Sequence, residues 1–455
     1  MPDTDTKSPD LPPWFDGKKI NEGVFCKHYM AEKRLLCVDG TFFTPKGRMA
    51  DETDLKQDIY SKLEPYVTSG LARKADSLVE ALRLAAYIRE YKPMDDKVFL
   101  ENGALFLDGT FRADTDHIPV LSRFPVRYNP DAPWPQKWQD FLHELLEPED
   151  IMTLQEFIGY CFLPTNKAQK MMIIKGNGGE GKSVVGAVLT HLFGVNAKDG
   201  SIGKISENPF ARADLEHIHL LIDDDMRMDA LKQTNYVKSL VTAQGKVDLE
   251  KKGKQSYQGY VYARLLAFSN GNLKALYDRS DGFYRRQLIL TCLDRRRSRR
   301  DDPNLASKLI AEKEGIFLWA WDGLKRLHLN GYRFTESDKA RKNRLMAQAE
   351  NNNVISFLRS QGYIRFDPEY SLSVREAYAV YRFWCEENAI APLSSRSFSD
   401  YLQSNMTALG LKFDYHCMNA AGRRVRGYKG MAATLSLGDI KPHLRASPDA
   451  EKRGE

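Results

Sequence analysis

The sequence predicts an α/β protein with a phosphate-binding core on a parallel sheet, a small N-terminal α+β domain before it and a C-terminal winged helix after it. Three observations predict this. The apolar run MMII (171–174) leads into GNGGEGKS, which matches G-x-x-x-x-G-K-[ST], and residues 184–193 then show helical apolar spacing. Further apolar runs at 217–226 and 265–268 alternate with helical patterns, as a parallel α/β core requires. Beyond residue 350, three short helical segments precede a basic, glycine-containing hairpin, RRVRGYKG, in winged-helix order.

The chain has 455 residues, enough for about three domains, and 42% hydrophobic content supports real cores rather than a disordered or fibrous chain. No run of 18 apolar residues occurs, and the first thirty residues lack a signal-peptide core, so a cytoplasmic protein without a membrane partner is expected. The six cysteines include no C-x-x-C pair, which argues for reduced thiols. Cys26, His28 and Cys37 could offer three metal ligands, but no fourth stands at metal-site spacing, and packing is the expected role. A net charge of +6 permits a nucleic-acid partner without requiring one.

In chain order, residues 1–20 hold four prolines and many polar residues and read as a flexible leader. Residues 21–148 form the N-terminal domain: a small β-unit at 23–44, helices at 54–66 and 75–91, then hairpins turning at Asn102-Gly103 and Asp108-Gly109. Pro130, Pro133 and Pro135 mark a linker before a helix at 136–146. The core spans 149–345, opening with a helix at 151–162 and closing with a helical region at 305–329. The winged helix covers 350–437, with helices at 354–361, 374–387 and 397–409, and residues 438–455 read as a disordered tail.

The phosphate loop carries the chemistry. Gly176, Gly178, Gly179 and Gly181, with Asn177 and Glu180 between them, let successive N–H groups point at phosphate oxygens, and the following helix adds its positive dipole end. Lys182 reaches the β- and γ-phosphates of ATP, and the Ser183 hydroxyl ligates Mg²⁺. Asp223, Asp224 and Asp225 close the strand about forty residues later, where one carboxylate should bind Mg²⁺ and its neighbour position the attacking water. Asp223 is favoured for metal and Asp224 for water, although the alternation depends on where the strand ends.

Asn270 ends the strand at 265–268, where the γ-phosphate or attacking water would lie, and Asn272 is the less favoured candidate. Arg285 and Arg286 precede another apolar strand and could supply a charge to a nucleotide held by a neighbouring subunit. Lys246, Lys251, Lys252 and Lys254 crowd a turn-rich segment suited to gripping a phosphate backbone. The run Arg295 to Arg300 reads equally as a DNA contact or a solvated linker.

The order GNGGEGKS, LLIDDDM, KSLVTAQGKVDLEKKGK, LLAFSNGN and DGFYRRQLIL resembles the AAA+-like ATPase of superfamily 3 helicases, specifically the helicase half of phage, plasmid and poxvirus primase-helicases. The likeness spans residues 75–435, including the poxvirus-type segment before the ATPase and a C-terminal winged helix. It implies a hexameric ring moving 3′ to 5′ along single-stranded DNA in a bacterial host, with ATP between subunits. It also implies Lys182 and Ser183 on nucleotide and Mg²⁺, Asn270 as sensor, Arg285 or Arg286 as finger, and the 246–254 lysines in the channel. DDD stands where many relatives carry a glutamate, which leaves the catalytic acid open.

The expected function is an ATP-dependent replicative helicase of a mobile element acting on single-stranded and forked DNA. Alternatives are an initiator that binds and melts an origin duplex, and a primase-helicase. The fewer than about 150 residues before the ATPase hold no convincing nucleotidyl-transfer arrangement. A small-molecule kinase is disfavoured by the basic hairpin, the arginine pair and the extra domain.

Overall fold

The computed structural model describes residues 11–49, 51–89, 91–113, 119–226, 234–253, 255–270, 281–294, 302–351, 353–390, 392–418 and 422–445. The chain divides into two units, Met1–Arg344 and Leu345–Glu455.

The first unit opens with helix Glu22–Lys33, capped by the Asn21 side chain, which accepts from the Val24 amide. A three-stranded antiparallel sheet and helices Glu52–Leu63 and Leu71–Ala85 follow. Their apolar faces close one cluster around Phe25, Tyr29, Ile59 and Leu82. Part of the expected flexible leader belongs to this cluster. Trp14 is only 5% exposed, with its ring edge-on to Phe25 and Tyr66 at 5.2 and 5.5 Å. Two buried aromatics outweigh the polar, proline-rich composition around them. The Asn102-Gly103 turn joins strands Lys97–Leu100 and Gly103–Phe106, as expected.

A five-stranded, wholly parallel sheet forms the centre of the unit. Its spatial order is Gln287–Thr291, Met171–Gly176, Arg264–Asn270, Leu220–Asp223, Ala197–Asp199. The apolar runs are continuous rather than alternating because these strands are buried on both faces. Helices Gln136–Leu145, Pro148–Tyr160, Lys182–Phe193 and Lys313–Leu329 pack into the same core through Trp138, Phe157, Leu189, Phe317 and Leu324. None of the described helices is long and apolar enough to cross a membrane.

The second unit has its own core around Phe357, Tyr381, Trp384, Phe398 and Tyr428. Helices Asn353–Arg359, Val374–Glu387 and Ser395–Ser404 pack with an antiparallel sheet ordered Ile364–Ser373, Arg424–Ala433, Lys412–Met418. The tail expected from 438 instead begins with helix Leu437–Arg445. Ser436 Oγ donates to Asp439 Oδ2 at 2.6 Å, the Asp439 amide donates back to Ser436 Oγ at 3.4 Å, and Ile440 is 2% exposed. This reciprocal cap, together with a buried isoleucine, orders a stretch whose composition is polar.

Candidate nucleotide and nucleic-acid site

The strand Met171–Gly176 delivers its chain into the glycine-rich loop, and helix Lys182–Phe193 begins immediately after it. Gly178, Gly179 and Gly181 take φ of 106°, 80° and 109°, a region that a side chain disfavours. A Cβ at Gly176 would lie 2.6 Å from Lys182 Nζ and 2.7 Å from Glu180 Oε2, so a side chain there would push the ends of both aside.

Inside this cradle lies a carboxylate. Glu180 Oε1 accepts from the Gly178 amide at 2.8 Å and from the Asn177 amide, while Oε2 accepts from Lys182 Nζ at 2.7 Å. Burial works to raise the Glu180 carboxyl pKa, but Lys182 and the loop amides outweigh it and hold it below the usual glutamate value. The loop therefore binds an internal anion with the groups that the motif directs at phosphate. Glu180 was legible as a loop residue; its carboxylate contact was not.

The acids separate by direction. Asp223 ends its strand with its side chain turned toward helix Ile202–Glu207, where Oδ2 accepts from the Ile202 amide at 2.7 Å. Burial raises its pKa above the ordinary aspartate value. Asp224 is exposed and accepts from Ser183 Oγ at 3.2 Å. Asp223, expected on the metal, has its Oδ2 bonded to a helix amide, and Asp224 is the acid beside the loop serine. Asp223 is the last residue of the strand and Asp224 the first of the turn that follows, where the two side chains part. Two oxygen donors, hydroxyl and carboxylate, form a set that suits Mg²⁺.

Asn270 is the last residue of its strand, is exposed, and pairs in register with Gly176. Its strand runs parallel between the phosphate-loop strand and the acid strand, so it finishes at the same C-terminal end of the sheet as both. Asn272 lies outside the described residues.

Arg285 and Arg286 sit at the opposite, N-terminal end of the sheet. The Met171 amide donates to the Arg286 carbonyl at 2.8 Å, Lys170 Nζ donates to the Arg285 carbonyl at 2.6 Å, and Gln287 pairs with Met171 at the start of the phosphate-loop strand. The Arg286 guanidinium donates to the Gly282 carbonyl. Five residues of strand, about 16 Å, separate this end from the loop. Neither backbone position lies beside the chain's own phosphate loop.

Strands Lys246–Leu249 and Tyr257–Tyr260 form the expected basic hairpin. Lys246 and Lys252 are exposed, with the Lys246 ammonium 5.4 Å from the Tyr260 ring centre. Lys251 folds back onto Glu216, with Nζ 3.1 Å from Oε2, an oxygen that also accepts from Tyr257 Oη at 2.7 Å. Nothing in the sequence pattern marked Glu216, which lies on a turn between predicted elements. Lys254 and the run Arg295 to Arg300 fall outside the described residues.

In the C-terminal unit the sheet carries arginine–aromatic pairs. The Arg365 guanidinium lies 4.5 Å from the Tyr370 ring centre and that of Arg426 lies 5.9 Å from Tyr415. Tyr370 and Tyr415 are 48% and 64% exposed.

A family model described as a family of unknown function (DUF5906) matches residues 174–286, the span from the phosphate-loop strand to Arg286. No curated protein matches. Among solved structures, the apo structure of the NrS-1 C-terminal region is 10% identical, with 90% of this chain and 100% of that chain covered and a TM-score of 0.51. The chain shares that fold. Two A-form apo structures of the same NrS-1 region match at 12% and 10% identity, with TM-scores of 0.47 and 0.48. They cover 85% and 87% of this chain, and 86% and 96% of their own.

Proposed function

We propose that this chain is an ATP-driven DNA helicase of the superfamily 3 type, working as a homo-oligomeric ring, with six subunits by resemblance, in the replication of a phage, plasmid or related element within a bacterial host's cytoplasm. The observation that carries the reading is the division of the parallel sheet. Lys182, Ser183, Asp224 and Asn270 lie at the C-terminal end of the strands, and the arginine pair stands at the N-terminal end.

In this reading the loop amides and Lys182, released from the Glu180 carboxylate, would hold the β- and γ-phosphates of ATP. Ser183 and Asp224 would hold Mg²⁺, which neutralises charge on the phosphate oxygens. Asn270 would orient the attacking water or sense the γ-phosphate from the adjoining strand end. Asp223 positions helix Ile202–Glu207 through the Ile202 amide. An arginine at the far end serves a neighbour's nucleotide, which accounts for a ring. Among the described residues, Lys246 and Lys252 are the exposed hairpin cations that would grip a DNA backbone.

The test is ATP hydrolysis with and without single-stranded DNA, beside strand separation on a forked duplex. Wild type should be stimulated by DNA and should unwind the fork, and Lys182→Ala should abolish both. The exposed arginine–aromatic pairs of the C-terminal unit favour a second reading, an initiator that melts an origin duplex. Sequence-specific duplex binding together with absent fork unwinding would establish it.

A further inference from the structure

Away from the nucleotide loop, three candidate ligands from two distant parts of the sequence, position 39 and the neighbours 216 and 217, converge beside the hairpin. A carboxylate oxygen of Asp39, one of Glu216 and an imidazole nitrogen of His217 all lie within 4.8 Å of one another. His217 is 2% exposed and Glu216 is 4% exposed. Among the described residues, neither ring nitrogen of His217 has a hydrogen-bond partner, and neither does Glu216 Oε1. Buried polar atoms rarely stay unpaired, and a histidine among carboxylates at this spacing points to a shared ligand. The hairpin leaves room for the acid: a Cβ at Gly259 would fall 2.4 Å from Glu216 Oε1.

We propose that Asp39, Glu216 and His217 bind one divalent transition-metal cation, with Lys251 as its built-in competitor. Imidazole plus two carboxylates is a donor set for zinc-class ions rather than for Ca²⁺ or Mg²⁺, which take oxygen alone. Bonds of about 2.1 Å require the three ligand atoms to draw inward from their present spacing. The Lys251 ammonium, 3.1 Å from Glu216 Oε2 and 3.4 Å from the Asp39 carbonyl, already acts as a cation against this cluster. A metal ion there repels it and releases it toward the hairpin surface. The Arg48 guanidinium, bonded to the Val195 carbonyl at 3.0 Å, adds positive charge near His217, which the two carboxylates oppose.

The experiment is calorimetric titration of the chelator-stripped, full-length, nucleotide-free chain with Zn²⁺ alone. Wild type, His217→Gln and Lys251→Met are compared, with zinc content read by elemental analysis after desalting. The proposal expects one equivalent in wild type, loss of that equivalent in His217→Gln, and at least tenfold tighter binding in Lys251→Met. Zinc uptake unchanged by His217→Gln, or no tighter in Lys251→Met, overturns it. So does a wild type that retains no zinc, which would leave buried water as the ligand. Should His217→Gln fail to fold, the Lys251→Met comparison decides alone, because only a cation competing with Lys251 for Glu216 gains from that change.

Discussion

The Lys182 ammonium sits 2.7 Å from Glu180 Oε2, and the two side chains are 6% and 4% exposed. A nucleotide phosphate arriving at the loop meets the cation and amides already engaged by an anion of the same chain. Glu180→Gln should therefore tighten ATP binding by about three- to tenfold, since the neutral side chain leaves Lys182 seeking a partner. Titration with a fluorescent nucleotide checks this; unchanged or weaker binding would show that Glu180 does not compete.

The same pair gives a pH dependence. The folded pKa of Glu180 lies below the ordinary glutamate value of 4.5, so its stabilisation is present above that value and is lost as pH falls through the lower folded pKa. Wild type should exceed Glu180→Gln in nucleotide-free thermal stability at pH 7, and the gap should close on acidification below pH 4.5. A gap that is constant down to acid unfolding contradicts the ion-pair origin.

Asp223 and Asp224 should respond oppositely to the same substitution. Asp224→Asn should cut ATP turnover by about a hundredfold or more while nucleotide still binds, as loss of a metal-side carboxylate does. Asp223→Asn should keep turnover within a few-fold, because an amide oxygen still accepts from the Ile202 amide. Burial raises the Asp223 pKa, so its charge is a cost at neutral pH. Asp223→Asn should then melt no lower than wild type at pH 7, and any advantage should vanish below about pH 3.8, where the acid is protonated folded or unfolded. Equal loss of turnover in both variants would refute this division of roles.

On the nucleic-acid side, Lys252→Ala should lower the salt slope of single-stranded DNA binding by about 0.7, one phosphate contact. Tyr415→Ala should weaken DNA binding by about 1–3 kcal/mol if its ring stacks on a base, while leaving DNA-free ATP hydrolysis unchanged. Affinity measured across a salt series separates the two effects, and no change in either variant would remove that surface from the interface.

How much was legible depended on the range of the interaction. The loop, its strand and its helix are local, and GNGGEGKS announces all three. The parallel strands were readable as MMII, LLI and LLAF because burial on both faces writes continuous apolar runs. Their spatial order was not, since Arg264–Asn270 inserts between two strands that precede it in the chain. The Asp223 and Asp224 directions hinge on a single residue of strand length, beyond the resolution of pattern reading. Trp14 and Ile440 misled because composition was weighed over a window, whereas one buried side chain anchors a segment. Glu216 and Lys251 are thirty-five positions apart and meet only through the fold.

A ring motor whose nucleotide is completed by a neighbour's arginine should show itself when Lys182→Ala is mixed with Arg286→Ala and ATP hydrolysis is assayed on forked DNA. Each variant alone should be inactive. An equal mixture should recover roughly a quarter of wild-type turnover, since half the loops and half the fingers are intact and they meet at random in a ring. If Arg285 is the finger, Arg285→Ala in place of Arg286→Ala should give the same recovery. Inactive mixtures with both arginine variants, or arginine variants as active as wild type, would contradict the account.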